Sequence, residues 1–176
     1  RALEPEDYLF CPANLQADEY TITDAHARPD VTYTFAEILN QSSNVGISLA
    51  TEKSGFDHLN EIISRLKLTE KTGVDYPGEV NGLMQDFSEW ARVTGYNVSF
   101  GKGITVSPLQ MVRAYGAIAN DGVITSPHFL ISKPQTGVYE QYESEVVIED
   151  QEAIEKLKRM MRGVVTSGTG KKANID

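Results

Sequence analysis

The chain of 176 residues has one cysteine, Cys11, three histidines and one tryptophan. A single cysteine excludes an internal disulfide, and no histidine or basic residue stands beside it in sequence to activate the thiol, so Cys11 reads as a structural side chain. His26, His58 and His128 are far apart and share no ligand spacing with Cys11, so neither a metal nor any other cofactor is expected. Basic residues are also in short supply: 16 Lys and Arg face 25 Asp and Glu, for a net charge of −9. No basic stripe exists to neutralise phosphates, which argues against a nucleic-acid partner. No apolar run approaches the ~20 residues a membrane-spanning helix needs, and no signal peptide opens the chain. Any membrane anchor is therefore expected outside these residues. What remains, 40% hydrophobic and 23% charged, is the composition of one globular unit able to bury a core. Neither a repeat nor a low-complexity tract breaks it.

Periodicity and punctuation predict a mostly helical chain with strands late. Residues 1 to 31 mix acidic, proline and aromatic positions without a sustained period, and read as loop with short irregular elements. Thr34 and Glu37 are spaced as a capping box ahead of a short helix ending near Asn40. A second helix opens at Ser42-Ser43-Asn44 and stops at Gly55. Phe56, Leu59, Ile62, Ile63 and Leu66 follow at three- and four-residue intervals, an amphipathic helix facing a core. Asp75-Tyr76-Pro77-Gly78-Glu79 reads as a turn, followed by a long connection to Trp90 and a glycine-rich stretch. Ser107, Pro108 and Gly122 mark the N-cap, first turn and end of another helix. Ile124, Phe129 to Ile131 and Tyr139 to Ile148 are β-prone but interrupted by Pro127, Pro134 and Gly137, which suggests edge strands or a hairpin. Ile154, Leu157, Met160 and Met161 mark a last helix, ending before Thr166-Ser167-Gly168-Thr169-Gly170. The acidic residues from Glu140 to Glu155 read as a solvated face.

Two stretches carry chemistry. Ser42 and Asn44, two residues apart on a tight turn before a helix, can aim a hydroxyl and an amide into one cleft. Taken alone, the same residues also suit a helix cap. The other stretch is Val98-Ser99-Phe100-Gly101-Lys102-Gly103-Ile104-Thr105-Val106-Ser107-Pro108-Leu109-Gln110-Met111. With Thr34-Phe35-Ala36-Glu37-Ile38-Leu39 and Gln41-Ser42-Ser43-Asn44-Val45-Gly46, it resembles the transpeptidase domain of penicillin-binding proteins, of the monofunctional class B type. That family distributes acyl transfer over three motifs in the order S-x-x-K, S-x-N, K-T-G. Here Ser42-Ser43-Asn44 fits the middle one.

Three literal matches to the other motifs fail on context. Ser64-Arg65-Leu66-Lys67 and Ser99-Phe100-Gly101-Lys102 both follow the S-x-N turn, so the order is wrong for a nucleophile. The first reads as a solvated helix end and the second as a glycine turn. Lys71-Thr72-Gly73 has no β-prone run to hold it on a strand, and class B members have a similar Thr-Gly-hydrophobic-Asp-x-Pro-Gly-Glu stretch that is not catalytic. Gly101 and Gly103 with Lys102 lack the strand and spacing of a phosphate-binding loop. Met161-Arg162-Gly163-Val164-Val165 through Gly170 and Lys171-Lys172-Ala173 looks like the run-up to a catalytic K-T-G strand.

The resemblance implies an α+β, mostly helical fragment of the β-lactamase and D,D-transpeptidase fold, with residues 1–176 as the central part of one domain. It implies Ser42 and Asn44 as catalytic and substrate-binding residues, with Ser42 passing a proton to the leaving nitrogen and Asn44 holding a substrate carbonyl. The nucleophile and the K-T-G strand are expected outside the chain, and the piece alone is expected to be inactive. Implied partners are peptidoglycan stem peptides, β-lactams and cell-wall synthesis or division proteins, at the extracytoplasmic side of the cell membrane. A β-lactamase or β-lactam sensor, a bifunctional class A enzyme and a non-catalytic binding homologue share parts of this pattern and stay open at this point.

Overall fold

A computed structural model of the chain describes residues 3–133, 135–139 and 141–175. It divides into two compact units, one holding the chain up to Asn60, Gln85–Gly103 and the chain from Glu155, the other holding Glu61–Met84 and Ile104–Ile154.

The first unit begins with strands where loop is expected from sequence. β1 (Tyr8–Cys11) pairs antiparallel with β4 (Val31–Thr34), and β2 (Asn14–Ala17) with β3 (Tyr20–Thr23). Each is four residues long, and β1 to β3 have only one or two buried positions apiece, too short for alternation to stand out against the prolines and acidic residues. Leu9, Cys11, Ala17 and Ile22 are those inward positions, and they pack with Ile38, Val45, Ala50 and Tyr96 into one core. Thr34 caps α1 (Phe35–Asn40) in a full capping box with Glu37, as its spacing predicts. α2 (Asn44–Ser54) follows after a three-residue link and lies against α4 (Arg92–Ser99), β1 and β3. α4 is an element the sequence reading missed, since the segment around Trp90 reads as a connection. Its Gly95 lies so close to the Phe56 ring that a Cβ would sit 2.5 Å from it, so packing and not propensity sets this helix. Tyr96, fully buried, donates its hydroxyl to Glu52 at 2.6 Å, and Glu52 in turn pairs with Arg92 at 2.7 Å. Burial and the Glu52 carboxylate push the Tyr96 phenol up to about 12.

α3 (Phe56–Arg65) passes from the first unit into the second. There β5 (Leu83–Met84) pairs with β6 (Ile104–Thr105), and α5 (Pro108–Ala119) packs on β7 (Val123–Thr125). β8 (Ser132–Lys133) and β9 (Val138–Tyr139) form a small hairpin, and β10 (Ser144–Val146) pairs with β7. Short paired strands form there as expected, except that Phe129 to Ile131 are not in a strand and β8 begins just after them at Ser132. Leu66, Ala114, Ala117, Ile124 and Val147 form this unit's core. α6 (Gln151–Thr166) returns the chain to the first unit and runs one residue past its expected end. Of the expected acidic face, Glu143, Glu145, Glu149, Glu152 and Glu155 are exposed, and Glu140 lies outside the described residues.

Candidate active site

The link between α1 and α2 consists of Gln41, Ser42 and Ser43, and it satisfies two helix ends at once. Ser42 N–H donates to the Leu39 carbonyl and Ser43 N–H to the Ile38 carbonyl, both at 3.1 Å. This is the Schellman pattern that closes α1, in which the residue after the C-cap takes a left-handed conformation. Ser42 is that residue, with φ at 54°. Glycine is usual there, and a serine costs on the order of 1–3 kcal/mol of strain. The exposed hydroxyl of Ser42 is thus held out from a backbone that has no conformational reason to be serine. The next residue, Ser43, is buried and caps α2 through a 2.9 Å bond from Gly46 N–H. Gly46 has no room for a side chain, since a Cβ would lie 2.7 Å from Ile38. One tight turn thereby fixes the directions of both Ser42 and Asn44.

Asn44 points the other way along the turn. Its Nδ2 donates to the Thr23 carbonyl at the end of β3, at 3.0 Å. A carboxamide nitrogen carries two hydrogens, so a second donor remains for another carbonyl. Asn44 lines a cavity of about 370 Å³ with Tyr20, Thr21, Ile22, Thr23, Val93, Asn97, Phe100 and Lys102. Ser42 is not part of that lining and stands exposed at the rim of the turn. The two predicted residues therefore share one turn, separated by Ser43, with only Asn44 reaching the cavity wall.

Three residues that hold this turn were missed from sequence. The Asp24 carboxylate accepts from Ser43 Oγ at 2.9 Å, from Val45 N–H at 3.0 Å and from Arg28 Nε at 2.6 Å. Arg28 also donates to the Cys11 carbonyl at 2.9 Å. Thr23 supplies the acceptor for Asn44. Asp24 and Ser43 are 19 residues apart, a separation no local pattern encodes; the only cue was a lone Asp after a short alternating run. Arg28 also means that Cys11 has a cation near it in space, though none in sequence. Burial nonetheless dominates, pushing the thiol up and leaving it a buried core side chain.

The rejected motif strings sit in settings that suit structure. Ser64 is exposed at the end of α3. Ser99 donates back to the Tyr96 carbonyl at 2.6 Å, with Gly101 and Gly103 both at positive φ in the turn that follows. Lys71-Thr72-Gly73 lies outside any strand, and Thr72 is 2% exposed. The N–H groups of Thr72 and Gly73 donate to the two oxygens of Glu79 at 2.7 and 3.0 Å. Burial raises the Glu79 carboxyl, but these bonds outweigh it and hold it below the usual range. On the carbonyl side, Arg113 donates to Lys71, Glu70 and Lys67, and Gln110 Nε2 donates to Glu70 at 2.9 Å. Gln110 Oε1 meanwhile accepts from Ser107 N–H at 2.7 Å, so the Ser-Pro-Leu-Gln start of α5 is both a capping box and a clamp on this loop. Among the described residues, no cluster of three or more His, Cys, Asp or Glu could hold a metal, and no helix is long and apolar enough to cross a membrane.

A strained serine and a donor amide thus share one helix-opening turn in a mixed helix and strand scaffold. The chain belongs to the penicillin-binding protein transpeptidase domain family, whose model matches residues 1–176. It is 28% identical over 181 residues to penicillin-binding protein PbpB of Mycobacterium tuberculosis, covering 97% of this chain and 27% of that protein. It is likewise 28% identical to the peptidoglycan D,D-transpeptidase FtsI of Buchnera aphidicola, covering 99% of this chain and 31% of the relative. The crystal structure of penicillin-binding protein 3 from Mycobacterium tuberculosis, complexed with aztreonam, superposes with a TM-score of 0.90 at 29% identity, covering 98% of this chain and 41% of that one. The chain thus spans between a quarter and a third of the length of these curated relatives. Class B relatives and the penicillin-binding fold are what the Ser42 and Gly101 stretches suggested.

Proposed function

We propose that the protein is a serine-type peptidoglycan D,D-transpeptidase that cross-links stem peptides and is acylated by β-lactams. In this reading a nucleophilic serine outside these residues attacks the carbonyl of the penultimate D-alanine. The amide C–N bond breaks, and the serine's proton passes by way of the Ser42 hydroxyl to the departing D-alanine amine. An acceptor amine from a neighbouring stem then takes the acyl group and releases the serine. Asn44, through its second N–H, holds a carbonyl of the donor peptide while this happens. A β-lactam follows the same first step, but its broken C–N bond lies in a ring and nothing departs. We place the protein at the extracytoplasmic face of the membrane, held by a segment outside residues 1–176, beside other cell-wall synthesis proteins.

The observation that supports this most is Ser42 itself. A left-handed serine at a position that favours glycine, two residues before an asparagine lining a cavity, puts an exposed hydroxyl-bearing residue and a spare amide donor on one turn. The test is D-alanine release from a stem pentapeptide by the full-length protein. Release that falls by about a hundredfold or more in Ser42→Ala supports the assignment. Release without dependence on Ser42 contradicts it, and no release at all favours a binding homologue.

A further inference from the structure

Building on the transpeptidase reading, we propose that Asp24 is a positioning residue for acyl transfer, setting the Ser42 hydroxyl and the Asn44 amide through Ser43 and the first turn of α2. Asp24 touches neither Ser42 nor Asn44 through its carboxylate. It acts on the residue between them and on the residue after them.

The geometry demands a carboxylate. Oδ1 accepts from Val45 N–H at 3.0 Å and from Ser43 Oγ at 3.1 Å, while Oδ2 accepts from Ser43 Oγ at 2.9 Å and Arg28 Nε at 2.6 Å. Every neighbour is a donor, so both oxygens must accept. An asparagine has one acceptor oxygen, and its NH₂ would meet either the Arg28 guanidinium or the Val45 and Ser43 donors head-on. Because the Ser43 hydrogen goes to Asp24, its lone pairs are left to accept Gly46 N–H at 2.9 Å. The cap and the turn are thus oriented together. Arg28 ties the arrangement to β1 through the Cys11 carbonyl at 2.9 Å and closes the loop at Pro29 O, at 3.0 Å. The Asp24 and Arg28 side chains are 11% and 15% exposed, so water competes weakly for these bonds. The residue just before Asp24, Thr23, accepts from Asn44. One short segment at the end of β3 therefore holds three consecutive residues of the second helix opening, Ser43, Asn44 and Val45.

The test uses the full-length protein and benzylpenicillin, separating the acylation rate constant at saturation from the affinity of the reversible complex. Asp24→Asn is compared with Asp24→Glu and with Glu52→Gln, which removes the carboxylate charge that pairs with Arg92 beside Tyr96 elsewhere in the same unit. Asp24→Asn is expected to slow acylation about ten- to a hundredfold with affinity nearly unchanged. Glu52→Gln is expected to lower the melting temperature while acylating at the unsubstituted rate per folded molecule. Asp24→Glu, which keeps the charge, is expected to recover part of the rate. Equal acylation by Asp24→Asn and Glu52→Gln per folded molecule overturns the proposal. If the unsubstituted protein takes no penicillin, the transpeptidase reading fails separately. Amide hydrogen exchange then decides the positioning: selective speeding at Ser42, Val45 and Gly46 in Asp24→Asn supports it, and uniform exchange overturns it.

Discussion

Ser42-Ser43-Asn44 and Lys71-Thr72-Gly73 both reproduce a catalytic motif letter for letter, yet their surroundings are opposite. In the second, the polar groups are consumed by structure. Glu79 takes the Thr72 and Gly73 N–H groups, Arg113 takes the Lys71 carbonyl, and the left-handed position, φ 77°, is given to a glycine. In the first, the left-handed position is given to a serine whose hydroxyl is exposed, and an asparagine keeps a donor in hand beside a cavity. A motif string is informative when its groups remain unspent after the local structure has taken its hydrogen bonds.

The largest expected effect separates the two strings by activity. In the full-length protein, Ser42→Ala should slow benzylpenicillin acylation by about 10²–10⁴-fold, the range for a lost proton-transfer group. Lys71→Ala should leave the rate unchanged. A comparable loss from Lys71→Ala, measured by stopped-flow or intact mass, would erase the distinction.

Stability should separate them in the other direction. Glu79→Gln removes the charge that satisfies two loop N–H groups and should cost about 2 kcal/mol in denaturant unfolding, with acylation per folded molecule intact. Swapping the residues at the two left-handed positions sharpens the contrast further. Ser42→Gly should stabilise the protein by about 1 kcal/mol while abolishing the relay, and Gly73→Ser should destabilise it by about the same amount. A Ser42→Gly protein that is less stable would show that the serine side chain contributes to the fold.

The smallest effect is in pH. Glu79 is held below its ordinary value of 4.5, since its hydrogen bonds outweigh the burial that raises it, and Glu52 is also held below 4.5 by the Arg92 side chain. A lowered carboxyl contributes stability that is fully present above its unfolded value and is lost as the pH falls through the folded one. Thermal stability should therefore decline below about pH 4.5, and Glu79→Gln should flatten that decline in a melting series.

These contrasts also explain what could be read in advance. Helices with local signals were legible: the Thr34 and Glu37 box, the Gly55 stop, the three-four period of α3 and the Ser107, Pro108 and Gln110 start of α5. Each depends on residues three or four apart. Strands β1 to β3 were not, because their four-residue lengths offer one or two buried positions each and their partners include Val31–Thr34, twenty residues on. α4 was missed because its Gly95 lowers propensity, and only the Phe56 ring against it shows why glycine is there. At the site, Ser42 and Asn44 were found through resemblance, since capping explains the same letters. The Schellman turn escaped because serine occupies the place where glycine announces it. Asp24 and Arg28 pair only four residues apart, but they escaped because their side-chain bonds to the turn and to β1 span 15 to 21 residues and leave no periodic trace.

The most direct measurement is intact-mass analysis of the full-length protein after benzylpenicillin, with the adduct located by peptide mapping. The account predicts one penicilloyl group, carried on a serine outside residues 1–176, and a much slower gain in Ser42→Ala and Asn44→Ala. An adduct on Ser64 or Ser99, or acylation indifferent to Ser42 and Asn44, would contradict it.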